Sequence, residues 1–124
     1  MKIVYISGPY TGADYLDIDR NIAKAREAAA WLAKHGVGFF CPHLHSAHFE
    51  AITPTVPASF WYELDIRFLY GCGALVLLDG WASSAGAAKE KAIAEKYEIP
   101  IFNFGLGERK VNKERIRLLE WAKA

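Results

Sequence analysis

Short runs rich in β-branched and aromatic residues alternate along this chain with longer stretches of helical periodicity, and this alternation constrains the fold more than any other feature. Lys2–Ser7 reads as a first strand. A helix is expected over Asp19–His35, where Ile22, Ala25, Ala29 and Leu32 recur at helical spacing and Gly36 ends the pattern. Val37–Cys41 reads as a second strand. A long loop, Pro42–Pro57, follows it and carries His43, His45 and His48. A second helix is expected over Ser59–Tyr70, with Ser59 as its N-cap. Ala74–Asp79 is a continuous apolar run, the signature of a strand covered on both faces. A helix over Ala87–Tyr97, a strand over Ile99–Phe104 and a helix over Val111–Ala124 complete the series. The pattern predicts an α/β protein: a three-layer, Rossmann-like (flavodoxin-like) fold with a parallel sheet of four to five strands and right-handed crossovers. At 124 residues, the chain is expected to form one domain, 1–124.

Composition narrows the function. Hydrophobic residues make up 52%, enough for a core without metal or disulfide support. Cys41 and Cys72 have no partner at a metal-ligand spacing and read as free buried thiols in a reducing compartment. A net charge of +1 leaves no electrostatic footprint for a nucleic acid polymer or an acidic membrane. The longest apolar stretch, Gly73–Leu78, is far too short to span a bilayer. The N-terminus enters a strand pattern directly, without a signal-peptide cleavage site, so the expected location is the cytoplasm.

In parallel α/β sheets, ligands bind beyond the carboxyl ends of the strands, where strand order reverses. The informative loop there is Asp79-Gly80-Trp81-Ala82-Ser83-Ser84-Ala85-Gly86, which runs into Ala87-Ala88-Lys89-Glu90. Free N–H groups and the dipole at such a helix N-terminus suit an anion, and Ser84 adds a hydroxyl. Gly86 permits close approach of a ligand to the backbone. Two readings stand side by side. Either Ser84 is a plain N-cap and Glu90 a first-turn acid that favours the dipole, or both face a ligand.

Ser84-x-Gly86-x-x-x-Glu90 after a strand ending in Asp resembles the active-site segment of the nucleoside 2-deoxyribosyltransferase superfamily. The spacing is most similar to that of the 2′-deoxynucleoside 5′-phosphate N-hydrolases. There the Glu is the nucleophile, and a Ser six residues before it holds the 5′-phosphate; Glu90 and Ser84 occupy those positions. Tyr5-Ile6-Ser7-Gly8-Pro9 looks like the family's first strand and turn, whose Tyr lines the sugar site. Asp65, in Glu63-Leu64-Asp65-Ile66-Arg67, matches an active-site Asp on the helix before the third strand. The start Tyr-Ile-Ser-Gly-Pro-Tyr-Thr-Gly, followed by Asn21-Ile22, also resembles a phage and bacterial branch described as deoxyribosyltransferase-like. The resemblance runs from Lys2 to about Phe102. It departs at Gly73, where the family commonly has Asp, and at Lys91-Ala92, where apolar residues and Gly are usual. It implies a homodimer or higher homo-oligomer that acts on a small nucleotide and needs no cofactor.

The implied reaction is hydrolysis of the N-glycosidic bond of a (deoxy)nucleoside 5′-monophosphate through a glycosyl-enzyme intermediate on Glu90. A carboxylate below the ring stabilises the oxocarbenium-like transition state, and a second acid protonates the departing base. Asp65 is the first candidate for that acid or for a sugar-orienting group, and Asp79 the second, although Asp79 also suits a turn before Gly80. Tyr5, Ser7, Gly8, His43, Asp79, Trp81, Ser84 and Gly86 are the expected substrate-binding residues. Tyr5 doubles as core, and Gly8 as a backbone requirement. Trp81 is a stacking candidate, whereas Trp61 reads as core. The spacing of His43, His45 and His48 suits no helix face, and no metal site is expected. Two alternatives stay open: base exchange between nucleosides, which requires no phosphate site, and a non-catalytic nucleotide-binding sensor.

Overall fold

The structure, a computed structural model, describes residues 2–105 and 107–124, and of residues 107–112 the backbone only. Four parallel strands, β1 (Ile3–Ser7), β2 (Gly38–Phe40), β3 (Ala74–Leu77) and β4 (Ile101–Asn103), form one sheet in the order β2-β1-β3-β4. Strand β1 pairs Tyr5 with Phe40 on one side and Ser7 with Leu77 on the other. The helices are α1 (Tyr15–Lys34), α2 (Pro42–His45), α3 (Phe49–Ile52), α4 (Ala58–Tyr70), α5 (Ala85–Lys96) and α6 (Gly107–Lys123).

Side-chain alternation along β1 sets the layers. Val4 and Ile6 face one way, packing with Ala25, Ala28, Ala29 and Leu32 of α1 and Leu118 of α6. Tyr5 faces the other way, packing with Leu69 of α4 and Ala94 of α5. Helices thus cover both faces, and the expected three-layer Rossmann-like architecture is what the chain forms. Strand order reverses between β1 and β3, which makes their carboxyl ends the switch point.

Several boundaries differ from the sequence-based expectation. Helix α1 starts at Tyr15 rather than Asp19, because Asp14 caps it: the Asp14 carboxylate accepts from the Asp17 N–H at 2.9 Å, and the Asp17 carboxylate accepts from the Ala13 N–H at 3.0 Å. The expected loop after β2 contains two single-turn helices, α2 and α3; Pro42, at the start of α2, has its φ preset for a helical turn. Ser59 lies inside α4, whose cap position is Pro57. Helix α5 starts at Ala85, with Ser84 as its cap, and α6 starts at Gly107 rather than Val111.

Candidate active site

A cavity of about 480 Å³ opens at the switch point. It is lined by the end of β1 and the turn after it, Ile18 of α1, the α2–α3 segment after β2, one face of α4, and Ser83 with the N-terminal half of α5.

Glu90 enters it from α5. Ala87 and Ala94 are the buried residues of this helix, and Glu90 lies three residues after one and four before the other. It therefore sits on the sheet-facing stripe. The first turn of α5 contains no acid, so Glu90 is not the dipole-favouring acid of the simpler reading. It meets the second face of β1 instead. The Tyr5 hydroxyl donates to Oε2 of Glu90, and the Ser7 hydroxyl donates to Oε1 at 2.8 Å. Both donors are fully buried. Burial pushes the Glu90 carboxyl up to about 7; the bonds from Tyr5 and Ser7 oppose that rise, and the nearby Asp65 charge adds to it. Desolvation, with the Glu90 charge beside it, pushes the Tyr5 phenol far above its ordinary value, so Tyr5 stays protonated as a donor.

Helix α4 supplies a second stripe, Ala58, Trp61, Tyr62 and Asp65, all lining the cavity at helical spacing. Oδ1 of Asp65 is buried without a hydrogen-bond partner. Burial raises the Asp65 carboxyl to about 6. A buried carboxyl lacking a donor is easier to hold protonated, the state a proton donor requires.

Ser84 is the N-cap of α5, its Oγ accepting from the Ala87 N–H at 3.2 Å. Its own O–H proton remains available to the cavity, which it lines. The cap and the ligand-facing readings are therefore compatible. Ser84 takes the N–H groups of Ala87 and Ala88, and those of Ala85 and Gly86 ahead of them have no acceptor within the helix. Gly86 also lines the cavity, but the close approach it permits is that of Tyr62, whose Cε1 would lie 3.0 Å from a Cβ at this position. Gly8 is required by packing, since a Cβ there would lie 2.8 Å from Cβ of Leu78.

His43 is buried and lines the cavity. Its Nε2 lies 2.7 Å from the Pro9 carbonyl oxygen, which only accepts, so Nε2 carries the proton. Nδ1 faces the Cys41 sulfur at 3.8 Å. Burial lowers the His43 pKa and keeps the ring neutral. His43 thus braces the β1 turn and presents a ring, not a proton, to the cavity.

Asp79 and Trp81 lie elsewhere. They line a separate cavity of about 250 Å³ with Asn103 and Gly105. Asp79 accepts from the Gly80 N–H at 3.1 Å, the turn-forming reading of that residue. Lys91 lies over the Trp81 ring and pairs with Glu95. Trp61, which reads from the sequence as core, lines the main cavity instead, as does Phe49. Tyr10, Glu50 and Tyr62 are further lining residues that the motif reading did not reach. The α4 stripe was visible as spacing around Asp65; nothing local in the α2–α3 segment marked Glu50. The two departures from the family pattern lie off this cavity: a Cβ at Gly73 would sit 3.0 Å from the Trp121 indole, and Lys91 faces Trp81.

Among the described residues, no cluster of His, Cys, Asp or Glu is arranged to hold a metal ion, and no helix is long and apolar enough to cross a membrane. Both cysteines are free, with Cys41 buried and Cys72 half-buried.

A parallel sheet in this order, covered by helices on both faces, defines the class of Rossmann-like α/β proteins. Within that class, the chain belongs to the family described as "Domain of unknown function (DUF4406)", whose model matches residues 2–103. No curated protein matches the chain. Among solved structures, the 2-deoxyribosyltransferase from the psychrotolerant bacterium Bacillus psychrosaccharolyticus is similar over 90% of this chain and 81% of that one, with a TM-score of 0.56 at 14% identity. The fold is thus that of the 2-deoxyribosyltransferases, as the motifs implied.

Proposed function

We propose that the protein hydrolyses the N-glycosidic bond of a (deoxy)nucleoside 5′-monophosphate, with Glu90 as nucleophile and Asp65 as the proton donor. The observation that carries this reading is the Glu90 carboxylate, bound on both oxygens by the buried Tyr5 and Ser7 and sharing a cavity with the unpartnered Asp65 oxygen. Oriented by its two donors, Glu90 attacks the anomeric carbon as the C–N bond breaks. The bonding pair leaves with the base, which takes the Asp65 proton. Water then attacks the glycosyl ester; the resulting Asp65 carboxylate accepts the water proton, and Glu90 departs as a carboxylate. The products are free base and sugar 5-phosphate. The 5′-phosphate lies at the start of α5, against the Ser84 hydroxyl and the first helical N–H groups. This end of the cavity favours hydrolysis of a nucleotide over base exchange between free nucleosides.

The reading includes a cytoplasmic location and a homodimer or higher homo-oligomer; sedimentation at micromolar concentration tests the assembly. The catalytic test is incubation with nucleosides and their monophosphates, followed by chromatography for free base. Base release from monophosphates is expected. Ser84→Ala should raise KM more than it lowers kcat, the sign of lost uniform binding. Equal rates on nucleosides and monophosphates would sink the phosphate assignment, and base appearing only when a second free base is supplied would identify an exchange enzyme.

A further inference from the structure

The end of the cavity opposite α5 holds one fixed charge, and it belongs to Glu50. Both its oxygens lie within reach of the Tyr10 hydroxyl, at 3.0 and 2.9 Å. Tyr10 is itself held: its hydroxyl accepts from the His48 N–H at 2.7 Å, and its carbonyl accepts from Asn21 Nδ2 at 3.0 Å. His48 has a left-handed backbone, φ 63°, rare for a residue with a side chain, and its Nε2 lies 3.0 Å from Asp19 of α1. A strained turn and two cross-element bonds therefore place a carboxylate at the cavity wall. Glu50 is half-exposed, yet it is not a loose surface acid.

The donor and acceptor count at this end is lopsided. The Tyr10 proton is spent on Glu50, and the His43 Nε2 proton is spent on the Pro9 carbonyl. Besides that shared proton, the Glu50 carboxylate meets His48 Nδ1 at 3.9 Å, beyond hydrogen-bond reach, and so keeps acceptor capacity to spare. With phosphate at the α5 end and the anomeric carbon at Glu90, the base occupies the part of the cavity lined by Tyr10, His43, Phe49, Glu50 and Trp61. We infer that Glu50, positioned by Tyr10, selects leaving bases that present an exocyclic amino group, as 4-aminopyrimidines and 6-aminopurines do, over bases with a carbonyl there. An amino N–H completes the carboxylate; a carbonyl oxygen meets it as like against like. This inference rests on the nucleotide reading of the site.

The experiment compares amino and carbonyl partners of otherwise matched monophosphates, cytidine against uridine and adenosine against inosine, as ribo- and deoxynucleotides. It measures kcat/KM for the wild type and dissociation constants for Glu90→Gln. A preference of at least about tenfold for the amino member is expected, far below the roughly 10⁴–10⁵ of a fully buried hydrogen-bonding site because the Glu50 side chain is half-exposed. Glu50→Gln keeps an acceptor for the Tyr10 proton and adds a donor, so the preference should fall below about threefold, partly through a gain on the carbonyl member. Tyr10→Phe frees Glu50 and should weaken the preference. Wild-type ratios near one, a carbonyl preference, or a ratio unchanged in a folded Glu50→Gln protein would overturn the inference. If nothing is hydrolysed but Glu90→Gln binds amino members selectively, the base-reading role stands and the hydrolase reading falls. Absence of both turnover and binding would overturn both.

Discussion

A carboxylate that attacks carbon must be ionised, yet desolvation that sharpens its reactivity also resists ionisation. Glu90 stands between these demands, raised to about 7 by burial and held down by Tyr5 and Ser7. The proposed cycle needs Glu90 without its proton and Asp65 with one, although Asp65 is raised only to about 6. The productive form is then the minority arrangement of the singly protonated pair, and the two titrations belong to the pair rather than to either residue. A bell-shaped kcat/KM profile is expected, with its maximum between about 6 and 7. Tyr5→Phe removes a bond to the ionised carboxylate. It should move the alkaline limb to higher pH and lower the maximum, which a pH series on wild type and variant would reveal; an unmoved limb would detach Tyr5 from the chemistry. Asp65→Asn should cut turnover of natural bases far more than that of a substrate whose leaving group needs no proton. Equal loss on both substrates would reduce Asp65 to an orienting role. Glu90→Gln preserves shape and hydrogen bonding and should lower base release by about a thousandfold or more, since a nucleophile supplies upwards of about 4 kcal/mol. A folded variant with near-normal rate would end the mechanism.

At the scale of elements, the site depends on two helical stripes meeting one strand face. Ala87-Glu90-Ala94 on α5 and Ala58-Trp61-Tyr62-Asp65 on α4 were both present in the sequence as spacings. The motif reading singled out Glu90 and Asp65 but not what lay on Asp65's stripe, so Trp61 was read as core. Tyr5 and Ser7 share a β1 face by the period of two, and that alternation alone sends both hydroxyls to Glu90. Harder to read were starts and loops. The Asp14–Asp17 cap encloses an exposed Tyr15 and Leu16, so the apolar periodicity is silent over the first turn of α1. The α2–α3 segment is too short for any periodicity, and its role depends on the tertiary contact between Tyr10 and Glu50. Backbone fit at the turns is tighter than composition suggests. Gly8→Ala would press a methyl group to within 2.8 Å of the buried Leu78. Such overpacking costs about 1–3 kcal/mol. Urea midpoints should fall accordingly for Gly8→Ala; an unchanged midpoint would show that the turn yields without cost.

The whole molecule gathers this chemistry at one place because the sheet reverses its order between β1 and β3, and the alternation of elements was sufficient to anticipate that arrangement. What alternation could not anticipate is which cavity each loop residue lines; Asp79 and Trp81 line the smaller one, which Glu90 does not. Concentrating two buried carboxyls at the switch point also has a cost for folding, and its sign follows from linkage. Both groups have folded-state values above their ordinary ones, Glu90 about 7 against 4.5 and Asp65 about 6 against 3.8. The folded protein therefore holds these protons more tightly than the unfolded chain. Their contribution to stability is complete below about pH 4 and is lost as pH rises through about 7. Above that, both are ionised in a desolvated site and weaken the fold relative to neutral amides of the same shape. The double variant Asp65→Asn, Glu90→Gln should thus be the more stable protein near pH 8, by about 2–4 kcal/mol, and show a Tm higher by roughly 5–15 °C. The difference should shrink towards zero near pH 4, where the wild-type carboxyls are themselves neutral. Thermal melts of both proteins across this range provide the test. A wild type as stable as the double variant at alkaline pH would mean the two carboxyls are better solvated than their burial implies, and the expected pH maximum between about 6 and 7 would move to lower pH with them.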